Sequence, residues 1–215
     1  SLTFGLADKA QAAKVTVYWP SGLKSILENV VGNRTIQIHE SDELPLPPPT
    51  DEGDVIAWGA NPNGETTISN TLGKAVQIVA GDASSAALRK DGTVSVWGTN
   101  WATQLNVPAT LNNVVQIAAG NHHYVALTAN VSVVGWGWNT ANQTVVPTSL
   151  NRAKFIAAGF NTSYAITGGG QVVAWGGNDV GQANVPEGLF GVTSLAAGRG
   201  HVLALKSDGT VVAWG

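Results

Sequence analysis

The fold is decided by TSLAAGRGHVLALKSDGTVVAWG, residues 193–215. Three short apolar runs stand in it: SLAAG, HVLAL and TVVAWG. Ser207-Asp208-Gly209 lies between the second and third, and a Gly-containing turn between β-rich runs marks a hairpin. Stepping back by 39 residues finds the same landmarks. Trp-Gly recurs at Trp58, Trp97, Trp136, Trp175 and Trp214. Ala-Gly recurs at Ala80, Ala119, Ala158 and Ala197, and proline at Pro108, Pro147 and Pro186. Leu72, Leu111, Leu150 and Leu189 keep the step, as do Asn61, Asn100, Asn139 and Asn178. A fixed period of this length means units that bury their apolar faces only against one another.

After residue 54 no stretch has a 3.6-residue period with caps, so each unit is read as three or four short antiparallel strands. Counting an outer strand after each Trp-Gly loop gives four strands per repeat, the arithmetic of a propeller blade. The expected fold is all-β: a β-propeller of 39-residue four-stranded repeats, about four blades present, with a small N-terminal β domain. Alanines and glycines are expected where inner strands crowd the axis, and indoles where blades diverge. Asp54–Gly59 reads as a third strand without the two before it. The chain stops at Gly215, at the end of another third strand. Two expectations follow. The chain is a piece of a longer protein, or two copies complete each other's sheets, since an open strand edge invites pairing.

These repeats resemble those of the regulator of chromosome condensation family. VVQIAAGNHHYVALT (114–128) and LAAGRGHVLALKSDGTVVAWG (195–215) carry the resemblance, which runs over residues 54–215. It implies a β-propeller, seven-bladed in the best-known members. The histidine of the second strand is kept as His123 and His201 but is Ser84 and Thr162 elsewhere. The Asp-Gly turn is Asn130-Val131 in one unit and Gly169-Gly170 in another. The short, uniform unit looks like bacterial members. Exchange activity on a small GTPase would follow from the family name alone, and no exchange residue carries over.

Residues 1–40 do not share the period. Alternation suggests strands at Lys14–Tyr18, Lys24–Leu27 and Thr35–His39, with a turn at Trp19-Pro20-Ser21-Gly22. This stretch resembles the UnbV/ASPIC module through Phe4-Gly5-Leu6, the run from Val15 to Gly22, Asn29-Val30, Asn33 and Glu40. Such modules end secreted or surface propeller proteins. The resemblance therefore implies placement outside the cytoplasm, in a bacterium, with a further propeller upstream. The absent initiator Met agrees, and no signal peptide is visible. Between the two parts, residues 41–53 hold Pro45, Pro47, Pro48 and Pro49 among acids, and read as an extended acidic linker.

Composition narrows the chemistry. The chain has 215 residues, no Cys and 12% charged residues. Residues 1–54 carry eight acids against four bases, and the rest six against seven. Thiolate sites and disulfides are excluded. A net charge of −3 without a basic block argues against nucleic acid. No apolar run is long enough to span a membrane. Asp91 and Asp208 belong to hairpin turns. His122-His123 is a poor metal pair, because neighbouring strand residues face opposite ways. No cofactor, metal or catalytic residue is expected, and Ser84, Ser85 and Ser163 lack a His and acid at a recognisable spacing.

Binding is better supported. The loops after each Trp-Gly vary while their frame is fixed, as on a recognition surface. Trp101 and Trp138 do not recur, so the frame does not require them. With Asn139, Gln143 and Asn178 they form the candidate binding set. The expected function is a non-enzymatic structural or protein-interaction module outside the cytoplasm, self-assembling through strand edges. The alternative is a carbohydrate-binding module using the loop tryptophans. The expected partner is another protein or a second copy, then a glycan.

Overall fold

A computed structural model describes residues 11–18, 24–31 and 51–215. The chain divides into two units, residues 1–43 and 44–215. In the first, β1 (Gln11–Tyr18) and β2 (Lys24–Val31) pair antiparallel, from Gln11 opposite Val31 to Tyr18 opposite Lys24. Both strands are longer than the sequence pattern suggests. The turn at 19–22, the strand at Thr35–His39 and the linker up to residue 50 lie outside the described residues.

In the second unit the repeat becomes four antiparallel sheets of three strands each. They are β3 (Gln77–Ala80), β4 (Ser84–Leu88) and β5 (Val94–Gly98); β6 (Val114–Ala119), β7 (His123–Thr128) and β8 (Val133–Gly137); β9 (Ala153–Ala158), β10 (Thr162–Thr167) and β11 (Val172–Gly176); β12 (Val192–Ala197), β13 (Val202–Lys206) and β14 (Val211–Trp214). The second strand of each unit is the central one. β7 and β10 are buried almost throughout, as expected of strands covered on both faces. β13 alternates buried and exposed residues, because its sheet is covered on one face only.

This is an incomplete propeller, and the blades correct the expectation in one respect: they hold three strands, not four. The segments after each Trp-Gly form turns and coil instead of an outer strand. Pro108, Pro147 and Pro186 stand in them, and proline has no N–H to give a ladder. A second correction concerns Asp54–Gly59. It makes no strand pairing beyond one isolated bridge between Gly53 and Ala75. A strand needs a hydrogen-bonded partner, and no described strand pairs with this segment.

The core is a series of seams between successive sheets. The first holds Ala86 and Leu88 against Val114, Ile117, Tyr124, Ala126 and Trp136. The second joins Val125 and Leu127 to Ile156, Ala165 and Trp175. The third joins Tyr164 and Ile166 to Val192, Leu195 and Val202, with Trp214 at its border. Trp136, Trp175 and Trp214 thus pack against the sheet before their own, and Trp97 packs against Leu72, Ala75 and Ala87. Trp136 and Trp175 are buried, and Trp97 and Trp214 are half-buried. Trp58, which has no sheet before it, is 84% exposed, so the even burial expected of all five fails at the first. The glycine after Trp136 has φ of +95°, and a Cβ there would sit 2.6 Å from the His122 carbonyl oxygen. That position therefore demands glycine.

At the axis, the turns after the inner strands are hydrogen-bonded from blade to blade. Asp82 N–H donates to Asn121 O (3.0 Å), Asn121 N–H to Phe160 O (2.9 Å) and Phe160 N–H to Gly198 O (3.3 Å). A Cβ on Gly120 would overlap both the Gly159 carbonyl oxygen and the His123 ring. Gly120→Ala is therefore expected to cost about 2 kcal/mol of overpacking, read as a lower urea midpoint at unchanged slope. Gly73→Ala would be the control for φ alone, since that glycine has φ of +68° and open space around it.

Candidate recognition surface

The rim loops are built by two recurring side chains. The asparagine after each Trp-Gly accepts, through Oδ1, the N–H five residues on. Thr66 donates to Asn61 (2.9 Å), Leu105 to Asn100 (2.8 Å), Thr144 to Asn139 (3.0 Å) and Ala183 to Asn178 (2.8 Å). Asn178 Nδ2 also donates to Asn184 Oδ1 at 2.8 Å. Asn139 and Asn178 are exposed, but their amides are engaged in closing these loops.

The second device lies at positions 65, 104, 143 and 182. The side chains of Glu65, Gln104, Gln143 and Gln182 each accept the N–H two residues earlier, at 2.8–3.0 Å. Their main-chain carbonyls accept from the next indole: Trp97 donates to Glu65 (2.9 Å), Trp136 to Gln104 (3.0 Å) and Trp214 to Gln182 (3.0 Å). At Gln143 the carbonyl takes the Ser163 hydroxyl instead, at 2.7 Å. Gln143, placed in the binding set from its loop position, is fully buried and belongs to the frame. Its 39-residue recurrence as Gln104 and Gln182 was the signal for this role.

Trp101 is different. It stands at the loop tip after β5, 58% exposed, and its ring meets Trp138 edge-on, centroids 5.2 Å apart at 66°. Its other neighbour is His122, 4.4 Å away at the same angle. Trp138 follows β8 and is half-buried. His122 Nε2 lies 3.8 Å from the exposed Asp82 carboxylate. Burial pulls the His122 imidazole below its usual pKa, and Asp82 offsets part of that. Four segments from two blades thus converge on one aromatic patch. Sequence reasoning found both indoles, and weighed His122 only as a metal ligand. Among the described residues no three His, Asp or Glu side chains are grouped to hold a metal.

Five other titratable groups are tied into turns and seams. The Asp208 carboxylate accepts from the Thr210 hydroxyl (2.6 Å) and N–H (2.9 Å) and from Lys206 (3.0 Å), which hold it well below the usual range. Asp91 does the same with Thr93. His123 is fully buried and shares a 2.9 Å hydrogen bond with the Ser163 hydroxyl of the next blade. Ser84 and Tyr124 make the corresponding tie one seam earlier, at 2.7 Å. Burial lifts Tyr124 and Tyr164 to about 12, against the opposing hydrogen bonds of Ser84 and Thr162.

Known proteins place this architecture. The family description "Regulator of chromosome condensation (RCC1) repeat" matches residues 114–143, 153–182 and 192–215, and "ASPIC and UnbV" matches residues 1–45. No curated protein matches the chain. Among solved structures, yeast RCC1 (Prp20) bound to Kap60 is 24% identical at a TM-score of 0.60, over 73% of this chain and 50% of that one. The ectodomain of the Physcomitrella patens receptor kinase CR4 is 24% identical at 0.63, over 74% and 46%. Human WBSCR16 is 23% identical at 0.57, over 66% and 47%. The chain thus spans about half the length of these proteins or less, and they share its fold. The structure extends the same three-stranded unit one repeat further back, to β3, so that RCC1-type repeats over residues 114–215 continue a β-propeller segment that follows a match to ASPIC and UnbV at residues 1–45.

Proposed function

We propose that this segment is a non-enzymatic protein-interaction module acting outside the cytoplasm, and that it meets its partner through the rim patch centred on Trp101. The carrying observation is the 58% exposure of that indole on a loop whose frame does not need it. Beside it are a second indole, an imidazole and a carboxylate. An exposed aromatic ring among polar groups on a rigid support is the usual composition of an interface hot spot. Two of the similar structures favour the reading: one is an RCC1 protein bound to Kap60, the other a receptor kinase ectodomain. Placement outside the cytoplasm draws on that ectodomain and on the N-terminal ASPIC and UnbV match.

Trp101→Ala, by the hot-spot scale, should weaken capture of a cognate protein by about 2 kcal/mol, roughly thirtyfold, with the melting temperature within about 1 °C of the parent. Immobilised parent and variant would be compared for the proteins each retains. Identical retained sets would remove Trp101 from the interface. Binding on a glycan array that disappears in the variant would move the patch to carbohydrate recognition instead.

A further inference from the structure

Directly after β4 stands Arg89, half-buried, with its guanidinium held by neutral oxygens. Nε donates to Leu72 O (2.7 Å), Nη1 to Thr93 Oγ1 (3.0 Å) and Nη2 to Ser95 Oγ (2.7 Å). One main-chain carbonyl and two hydroxyls thus take one bond from each nitrogen of the fork. The first blade thereby shows what this part of the repeat can hold: a planar cation, gripped at three points.

One repeat on, Thr128 occupies the place of Arg89. Its hydroxyl turns onto Asn130 Oδ1 and the Ser132 carbonyl, inside its own hairpin. The space that the guanidinium fills in the first blade is here a pocket of about 510 Å³, lined by Leu111, Asn113, Thr128, Asn130, Ser132 and Val134 among others. Leu111, Ser132 and Val134 are the equivalents of Leu72, Thr93 and Ser95, so the pocket is walled by the counterparts of all three residues that grip Arg89. Among the described residues no hydrogen bond falls on Leu111 O or Ser132 Oγ. Val134 offers no oxygen where Ser95 does, but the carboxamides of Asn112, Asn113 and Asn130 line the same wall, and no charged side chain does.

We propose that this pocket receives the guanidinium of an arginine side chain presented by another polypeptide, in the pose that Arg89 adopts one blade earlier. Leu111 O and Ser132 Oγ accept from two of its nitrogens, and a carboxamide oxygen of the lining asparagines takes the part of the Ser95 hydroxyl. Separate oxygens around a flat cleft suit a rigid fork of five donors better than a compact ammonium. Free arginine would also bring a carboxylate and an ammonium that no lining side chain can pair, whereas a polypeptide brings neutral main chain. The site lies at the opposite end of β7 and β8 from His122 and Trp138, so it stands independently of the rim patch.

The test follows backbone amide chemical shifts of the whole chain as the capped peptide acetyl-Gly-Arg-Gly-amide is added. Saturable shifts should gather on residues 110–113 and 128–134. The same peptide with lysine or citrulline in place of arginine should bind about tenfold more weakly, lacking the fork or its charge. Ser132→Ala should weaken the arginine peptide about tenfold, the worth of one hydrogen bond to a charged group, and Val134→Ser, which restores the Ser95 hydroxyl, should tighten it by a similar factor. Thr128→Arg supplies an internal guanidinium and should abolish binding, while Arg89→Ala should open the equivalent space in the first blade and add a second set of shifts around Leu72 and Ser95. The proposal is overturned if no pocket residue shifts, if the lysine or citrulline peptide binds as tightly as arginine, or if a folded Thr128→Arg chain still binds. Unchanged affinity in both Ser132→Ala and Val134→Ser would overturn it equally, even where Thr128→Arg fails to fold. Free arginine binding as tightly as the capped peptide would overturn the assignment to a polypeptide.

Discussion

Trp136→Ala is expected to destabilise the propeller segment by about 3–5 kcal/mol, the usual cost of emptying a buried aromatic site. The ring stacks on Tyr124 at 5.4 Å and 18°, and its Nε1–H satisfies the Gln104 carbonyl. Truncation leaves both a cavity in the first seam and an unpaired acceptor at the rim. The matched control is Trp58→Ala. That indole occupies the same place in the repeat but is almost wholly in solvent, so its loss should change stability by less than about 0.5 kcal/mol. Chemical denaturation of the two variants separates indole as repeat signature from indole as seam filler. Equal costs would contradict the packing described above.

Acid should unfold the segment through His123. Burial, with a smaller contribution from neighbouring His122, holds this imidazole near a pKa of about 4, against 6.5 for a free one. The folded state keeps the ring neutral while the unfolded chain takes up a proton below pH 6.5. Between pH 6.5 and 4 the unfolded state therefore binds more protons, and stability falls with pH. The shift corresponds to about 3 kcal/mol, fully lost by about pH 4 and unaffected above pH 7. His122 adds a change of the same sign. Urea midpoints across that range would measure the slope. His123→Asn should start lower, having lost the bond to Ser163, and should show a flatter profile. A parent profile already flat from pH 7 to 4 would mean that the ring is accessible to water.

Much of this was written in the spacing. The four 39-residue steps between Trp-Gly pairs announced the sheets, and Ser207-Asp208-Gly209 announced the hairpin between β13 and β14. The missing outer strand was harder to read. The run to each Val-Pro has strand-like residues, and only the absence of a ladder partner reveals it as coil. Gln143 misled because a polar side chain on a loop reads as surface, whereas its amide is spent on Ala141 N–H inside the rim. Asn139 and Asn178 sit on the surface as expected but are occupied in closing turns. The link of Trp101 to His122 joins residues of different strands and loops with no shared period, and only tertiary structure brings them together.

The double closure of each rim loop has a wider implication. One asparagine and one glutamine fasten the loop at its base, and of the residues between them they engage only a main-chain N–H, the asparagine's side-chain bonds falling beyond the glutamine. The intervening tips are thereby released from any duty to the scaffold. Successive modules can trade tip sequences as interchangeable cassettes, and specificity can be rewritten at the crown of the molecule while its seams stay untouched.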